Sequence, residues 1–302
     1  MNKIIAFLSF IRWKNLLIMI VMQLFFKFGI DSIELNLNSL SYSVFFLLIF
    51  ATFFIAAAGN LINDYFDIEC DKINKPRKSL ILDIFDRKSI LKLYTVLNIF
   101  GFISGLGISI VIGKPLYSFI FLGIILILFL YSKFLKKTLI LGNFLIALLL
   151  SISVILVPLF EQIPFHFSNK IFDIIFNYAL FVFIFNLFRE IIKDIEDIDG
   201  DYKIGAKTLP IILGRKRAKN ISLLFAGASL YQILDLSFNV FETTFEIKTL
   251  FVIFIFLPIM IVMYKTTLAE KKSEFRKISN YIKIILAIGV FSILFLKYFI
   301  QK

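Results

Sequence analysis

The chain has 302 residues, of which 60% are hydrophobic, 18% are charged and 39 are Phe, and its mean hydropathy is +0.92. A soluble domain carries about 25% charged residues to cover its surface, so this composition excludes a water-solvated enzyme, a disordered chain and a collagen-like fibre, and leaves a protein solvated by lipid. One Cys, Cys70, excludes a disulfide framework, and one His, His166, argues against a His-ligated zinc or haem site. The net charge of +12 invites a nucleic-acid reading, which the distribution of that charge removes.

Apolar windows of about 17–25 residues, enough to cross a bilayer as helices, lie near 15–31, 42–62, 91–112, 115–131, 139–160, 171–188, 218–234, 249–264 and 282–300. The expectation is an all-α, polytopic membrane protein with nine transmembrane helices forming a single domain over 1–302. With the N-terminus inside, 27 of the 33 Lys and Arg fall in inner segments, which orients the chain in the cytoplasmic membrane with its C-terminus outside. The positive excess is therefore topology. Met1 to Arg12 runs into the first span without a small-residue cleavage site, so no cleaved signal is expected, and Trp13 reads as an interfacial anchor.

The two longest polar stretches, 63–90 and 189–217, follow the second and sixth spans and hold 12 of the 21 carboxylates. In the first, Asn63, Asp67 and Asp71 are spaced four apart, and the absence of Gly or Pro predicts that the helix continues through them with all three on one face. Like charges at that spacing repel, and a cation removes the penalty. Oxygen-only ligands select a hard ion, and Mg²⁺ takes one or two carboxylates together with phosphate oxygens. In the second stretch Glu190, Asp194, Asp197 and Asp201 form another helical stripe, at least as far as Gly200. Two stripes suit two ions.

Cations flank both stripes: Lys72, Lys75, Arg77 and Lys78 beyond the first, Lys203 and Lys207 beyond the second. Carboxylates and cations so close together suit a polyanionic substrate that reaches the acids through Mg²⁺, as a diphosphate does. No glycine-rich nucleotide cradle is present, so ATP and NAD are poor candidates. An apolar bundle with a Mg²⁺–diphosphate site at its rim predicts a substrate that is half lipid and half diphosphate, a prenyl diphosphate. Metal ions and cations would draw off charge as the C–O bond breaks while the bundle excludes water. Tyr65, Tyr131 and Tyr202 stand at loop depth, where a ring face can stabilise an allylic cation.

Asn63-Asp64-x-x-Asp67-x-x-x-Asp71 followed by Lys72-Ile73-Asn74-Lys75-Pro76 resembles the first aspartate-rich motif of the UbiA superfamily of intramembrane prenyltransferases, and Asp197-x-x-x-Asp201 followed by Lys203-Ile204-Gly205-Ala206-Lys207-Thr208 resembles the second. Arg12-Trp13-Lys14-Asn15, Tyr131-Ser132-x-x-Leu135-Lys136 and Gly142-Asn143 extend the similarity, which covers roughly residues 10–215. The resemblance implies a nine-helix bundle around a central cavity, with Mg²⁺ and the diphosphate held between the motifs. It implies metal ligation by Asn63, Asp67, Asp71, Asp197 and Asp201, a diphosphate-site or supporting role for Asp64 and Asp194, and phosphate contacts from Lys75, Arg77 and Lys207. By the same resemblance Arg12, Lys14, Tyr131, Lys136 and Lys193 are candidate substrate-binding residues.

The run from Arg189 to Asp201 looks most like the branch whose acceptor is geranylgeranylglyceryl phosphate, an ether-lipid precursor. There a glycerol hydroxyl attacks the allylic carbon and must lose its proton, which makes Glu190 or Asp194 the base candidate. Neighbouring branches prenylate 4-hydroxybenzoate, dihydroxynaphthoate, homogentisate or haem, and an aromatic acceptor stays open as the alternative. A cation transporter would set its acids near the bilayer midplane in broken helices; here they cluster at span ends among phosphate-suited cations. The expected partners are thus a prenyl diphosphate, a lipophilic acceptor and membrane lipid, with no nucleic acid, and no protein partner is inferable.

Overall fold

The computed structural model describes residues 3–31, 40–68, 71, 86–163, 170–237, 249–250 and 252–295, and among these all regular structure is helical. The helices are α1 (Lys3–Phe10), α2 (Trp13–Asp31), α3 (Tyr42–Phe66), α4 (Arg87–Val111), α5 (Ser118–Lys133, entered through a 3₁₀ turn at Pro115–Tyr117), α6 (Leu141–Phe160), α7 (Lys170–Lys203), α8 (Leu209–Leu213), α9 (Arg215–Asp235), α10 (Leu257–Leu268, preceded by a π-turn segment Val252–Phe256) and α11 (Lys272–Ser292). Described helices fall in all or part of the nine apolar windows, the last two of which run into residues outside the described ones. Six of these helices, α2 to α7, are long and apolar enough to cross a membrane, which makes this a multi-pass membrane protein.

Length positions the second motif. At about 1.5 Å per residue the 34 residues of α7 extend roughly 50 Å, well beyond a hydrocarbon core of about 30 Å. Its apolar first half spans, and its acidic end, through Gly200 to Lys203, projects past the lipid. The chain forms two compact units: Met1–Val21, Leu40–Gly142 and Asp199–Lys207 make the first, and Met22–Ser39, Asn143–Ile198 and Thr208–Lys302 the second.

In the first unit, small residues set how closely the helices approach. Lipid offers helices no hydrophobic drive to associate, so packing of small side chains decides the contact. A Cβ on Gly101 of α4 would lie 2.6 Å from Ile55 Cγ1 and 3.2 Å from the Ala51 carbonyl oxygen on α3, and one on Gly105 would lie 2.3 Å from the Phe121 ring of α5. α3 itself starts at Ser41, whose hydroxyl accepts the Val44 N–H at 3.5 Å as an N-cap. Between α1 and α2, Arg12 takes a left-handed φ of 55°, an uncommon conformation for a non-glycine residue. That turn brings the Ile11 carbonyl to Asn60 Nδ2 at 2.9 Å and packs Phe10, Ile11 and Leu16 against Ala57, Ala58 and Leu61.

The second unit is fastened by polar ties inside an aromatic core. Phe181 stacks on Phe185 and Phe188 lies tilted beside it along α7, Ser151 of α6 donates to the Ala179 carbonyl at 2.8 Å, and the Tyr178 hydroxyl meets Ser292 Oγ at 2.5 Å. Lys27, one of the six Lys and Arg outside the inner segments, is fully buried between Asp31 at 2.8 Å and Glu161 at 2.9 Å, which links α2 to the residue that follows α6.

Two stability predictions follow from these contacts. Gly101→Val forces a branched side chain against Ile55 and is expected to destabilise the protein by about 1–3 kcal/mol, read as a lower unfolding temperature in detergent. Lys27→Met leaves two carboxylates without their shared cation and should cost about 3–5 kcal/mol in the same assay, whereas a neutral effect would show that the triad carries no structural weight.

Candidate active site

The first unit holds the end of α3 and the tail of α7. α3 ends at Phe66, and Asp67, at φ −90° and ψ 0°, caps it. The unbroken helix expected through Asp71 is thus interrupted at Asp67, where the bridge-region backbone goes with a carboxylate bound to both Asn63 Nδ2, at 2.8 Å, and Lys136 Nζ. The four-residue register still survives, because Asp67 N–H donates to Asn63 O at 3.0 Å and Asp71 N–H to Asp67 O at 2.7 Å. One turn earlier Asp64 is buried and takes Arg12 Nη2 at 2.8 Å. Burial works against the Arg12 charge, but Asp64, through charge and hydrogen bond, and then Asp67 and Tyr131 more than offset it and hold the guanidinium above its ordinary pKa.

Lys136 sits in a 3₁₀ turn, Leu135–Lys137, whose position is set by close backbone approach. A Cβ on Gly142 would lie 2.8 Å from both the Leu135 carbonyl oxygen and Lys136 Cα, so glycine permits the turn to fold back on the start of α6. The Lys137 carbonyl accepts the Lys207 N–H at 2.8 Å. Through that bond the tail of the second motif is tied to the turn that presents Lys136 to the first. Asp201, on the last turn of α7, belongs to this unit and is partly buried, as is Tyr131.

Other residues named from the sequence sit differently. The Lys14 side chain is exposed, its ammonium 5.9 Å from the Trp13 ring, and Lys207 and Tyr202 are exposed too, Tyr202 at 76%. Tyr202 therefore turns its ring outward, away from a role beside a reacting cation. Lys75 and Arg77 lie outside the described residues.

The second unit carries the first part of the other stripe. Glu190 is 3% exposed and gripped by two cations, Arg189 Nη1 and Lys193 Nζ, each at 2.7 Å. Asp194 accepts from Asn143 Nδ2 at 2.8 Å, and Asp197 is partly buried. Glu196 is buried and takes Arg276 Nε at 2.8 Å, and that hydrogen bond with its charge, joined by the charge of Asp197, holds Arg276 above its ordinary pKa against a small burial penalty. Sequence reasoning missed Arg276, 80 positions from its partner and without a local motif. It quoted Asn143 and Gly142 without assigning either a task.

The donor set accommodates a hard cation. All candidate ligands are oxygens, and Asn63 Oδ1 is buried without a hydrogen-bond partner among the described residues, an acceptor suited to a metal ion or a water bound to one. Among the described residues no three His, Cys, Asp or Glu side chains gather at one metal position. Arg12, Lys136 and Asn143 hold motif carboxylates instead.

Comparison with known proteins supplies the family. Residues 35–284 match the model of the UbiA prenyltransferase family. A digeranylgeranylglyceryl phosphate synthase of Thermococcus gammatolerans is 39% identical over 173 residues, 57% of this chain and 58% of that relative, so the chain spans about three fifths of its length. A solved digeranylgeranylglyceryl phosphate synthase structure superposes with a TM-score of 0.64 at 27% identity over 99% of both chains. The fold is shared with a UbiA homologue from Archaeoglobus fulgidus bound to GPP and Mg²⁺, at a TM-score of 0.65 and 15% identity over 96% of this chain and 99% of that one. With the family model covering most of its length, the two acidic stripes and the helical membrane fold, this chain belongs to the UbiA prenyltransferase family.

Proposed function

We propose that the chain is a Mg²⁺-dependent prenyltransferase that moves a prenyl group from a prenyl diphosphate to the glycerol hydroxyl of geranylgeranylglyceryl phosphate or a related prenylglyceryl phosphate. The observation that carries this reading is the pairing of Asp67 with Lys136 and Asp64 with Arg12 at the end of an apolar helix, in the unit that also contains Asp201. Family membership supports prenyl transfer, the name of the Thermococcus relative supports the glyceryl acceptor, and the GPP and Mg²⁺ of the Archaeoglobus homologue support the donor and the ion.

In this reading Asn63, Asp67, Asp71, Asp197 and Asp201 would hold two Mg²⁺ ions, which when bound would withdraw negative charge from the diphosphate. The side chains do the rest. Lys136 and Arg12 stand beside the motif carboxylates as fixed cations that hold and orient the phosphate oxygens, Lys136 the more shielded of the two from water. The allylic C–O bond breaks with its electron pair leaving on the diphosphate, the acceptor oxygen bonds to the allylic carbon, and its proton passes to a carboxylate. Asp194, which accepts from the neutral Asn143 amide, is the carboxylate assigned to that proton, because both Glu190 oxygens already accept from cations. Nine spans in one domain, with the N-terminus and both motifs on the cytoplasmic face and the C-terminus outside, complete the assignment.

Asp67→Asn keeps the shape and deletes the charge. It should raise the Mg²⁺ concentration for half-maximal rate and lower kcat by at least about a hundredfold, and Asp197→Ala should do the same with unfolding temperature little changed. Near-normal turnover of either variant at saturating Mg²⁺ would remove the metal assignment. Mass spectrometry of products from purified protein offered geranylgeranylglyceryl phosphate and 4-hydroxybenzoate side by side should show the ether product and free diphosphate. A prenylated benzoate alone would replace the acceptor.

A further inference from the structure

Resting on the reading above, we infer that Arg189 and Lys193, bracketing Glu190 on α7, form a binding site for the phosphate monoester of the acceptor, distinct from the groups that hold the donor's diphosphate. Two cations share one carboxylate here: Arg189 Nη1 lies 2.7 Å from Glu190 Oε1 and Lys193 Nζ 2.7 Å from Glu190 Oε2. The Glu190 and Arg189 side chains are 5% and 13% exposed, while Lys193 is 31% exposed and reaches toward solvent, so the Arg189 guanidinium is the poorly solvated cation of the two. The Arg189 Nε–H is buried and has no hydrogen-bond acceptor among the described residues, so one edge of the guanidinium fork remains to be satisfied. A planar fork beside a mobile ammonium suits the oxygens of a phosphate.

Position separates this site from the donor's. Arg189 precedes Asp197 by eight residues, about 12 Å along the helix toward its apolar half, so it sits apart from that motif carboxylate. Lys193 immediately precedes Asp194 on α7, the carboxylate assigned the acceptor's proton. A glycerol phosphate carries its phosphate and the reacting hydroxyl on adjacent carbons, so the cation for one and the carboxylate for the other must lie within one helical turn, as Lys193 and Asp194 do in sequence. Glu190 is then a positioning residue: it holds both cations in place, which is a different task from the general base considered in the sequence.

The test uses the purified full-length chain with Mg²⁺, a prenyl diphosphate, and either geranylgeranylglyceryl phosphate or dephosphorylated geranylgeranylglycerol. Lys193→Gln and Arg189→Gln should each raise KM for the phosphorylated acceptor about tenfold, leave KM for the prenyl diphosphate within about twofold, and narrow the preference for the phosphorylated over the dephosphorylated acceptor; Lys193→Arg should restore the first value. Lys193 is 31% exposed and its loss leaves Glu190 paired with Arg189, so that variant should unfold at the temperature of the parent. A rise in KM for the prenyl diphosphate instead, or no change with either acceptor, would overturn the inference. If the parent protein turned over neither glyceryl acceptor, the acceptor assignment itself would have failed, an outcome distinct from a parent that works and variants that do not shift.

Discussion

Charge held in place at the ends of apolar helices is the constraint on which the rest of this molecule depends. A carboxylate repeated every four residues is self-repelling, and near lipid the repulsion is poorly screened. The protein meets this with partners brought from far along the chain: Arg12 for Asp64, Lys136 for Asp67, Asn143 for Asp194 and Arg276 for Glu196. Each partner comes from an element that the fold must deliver to that point. The ordering of the site and the folding of the helices are therefore one problem.

The delivery relies on glycine and on backbone contacts more than on large side chains. Gly101 and Gly105 let α4 lie against α3 and α5, and Gly142 lets the turn carrying Lys136 fold tightly against its own helix. A single backbone bond from Lys207 to Lys137 then joins the tail of α7 to that turn. In a water-soluble enzyme such positions would have hydrophobic burial to reinforce them; among lipids, close approach and hydrogen bonding carry more of the load.

Much of this was legible in the sequence, for physical reasons. The hydrophobic windows announce themselves because a bilayer span needs about 20 apolar residues in a row, and at six of the nine a described helix is long and apolar enough to cross. The spacing of Asn63, Asp67 and Asp71 is a local property of a helix, and its register persists even where Asp67 bends the backbone. What the residues alone did not reveal is nonlocal. Arg276 and Lys27 look like routine membrane-flanking cations until folding places them beside Glu196 and Glu161. The cations of Glu190, Arg189 and Lys193, are local and stand in the same run, but that both grip the one carboxylate is apparent only from their distances. Tyr202 shares a motif with Asp201 but faces the other side of the helix end, a distinction that spacing one residue past Asp201 left open.

The central claim is that Asn63 and the carboxylates of both motifs bind divalent cations together with the donor's diphosphate. Electron paramagnetic resonance with Mn²⁺ as the reporter ion tests it without relying on turnover. The account predicts that an inert prenyl diphosphate analogue brings two Mn²⁺ ions onto each chain, and that Asn63→Leu weakens that binding while leaving the fold intact. Donor analogue that binds without recruiting Mn²⁺, or Mn²⁺ that binds equally well with Asn63 replaced, would contradict it.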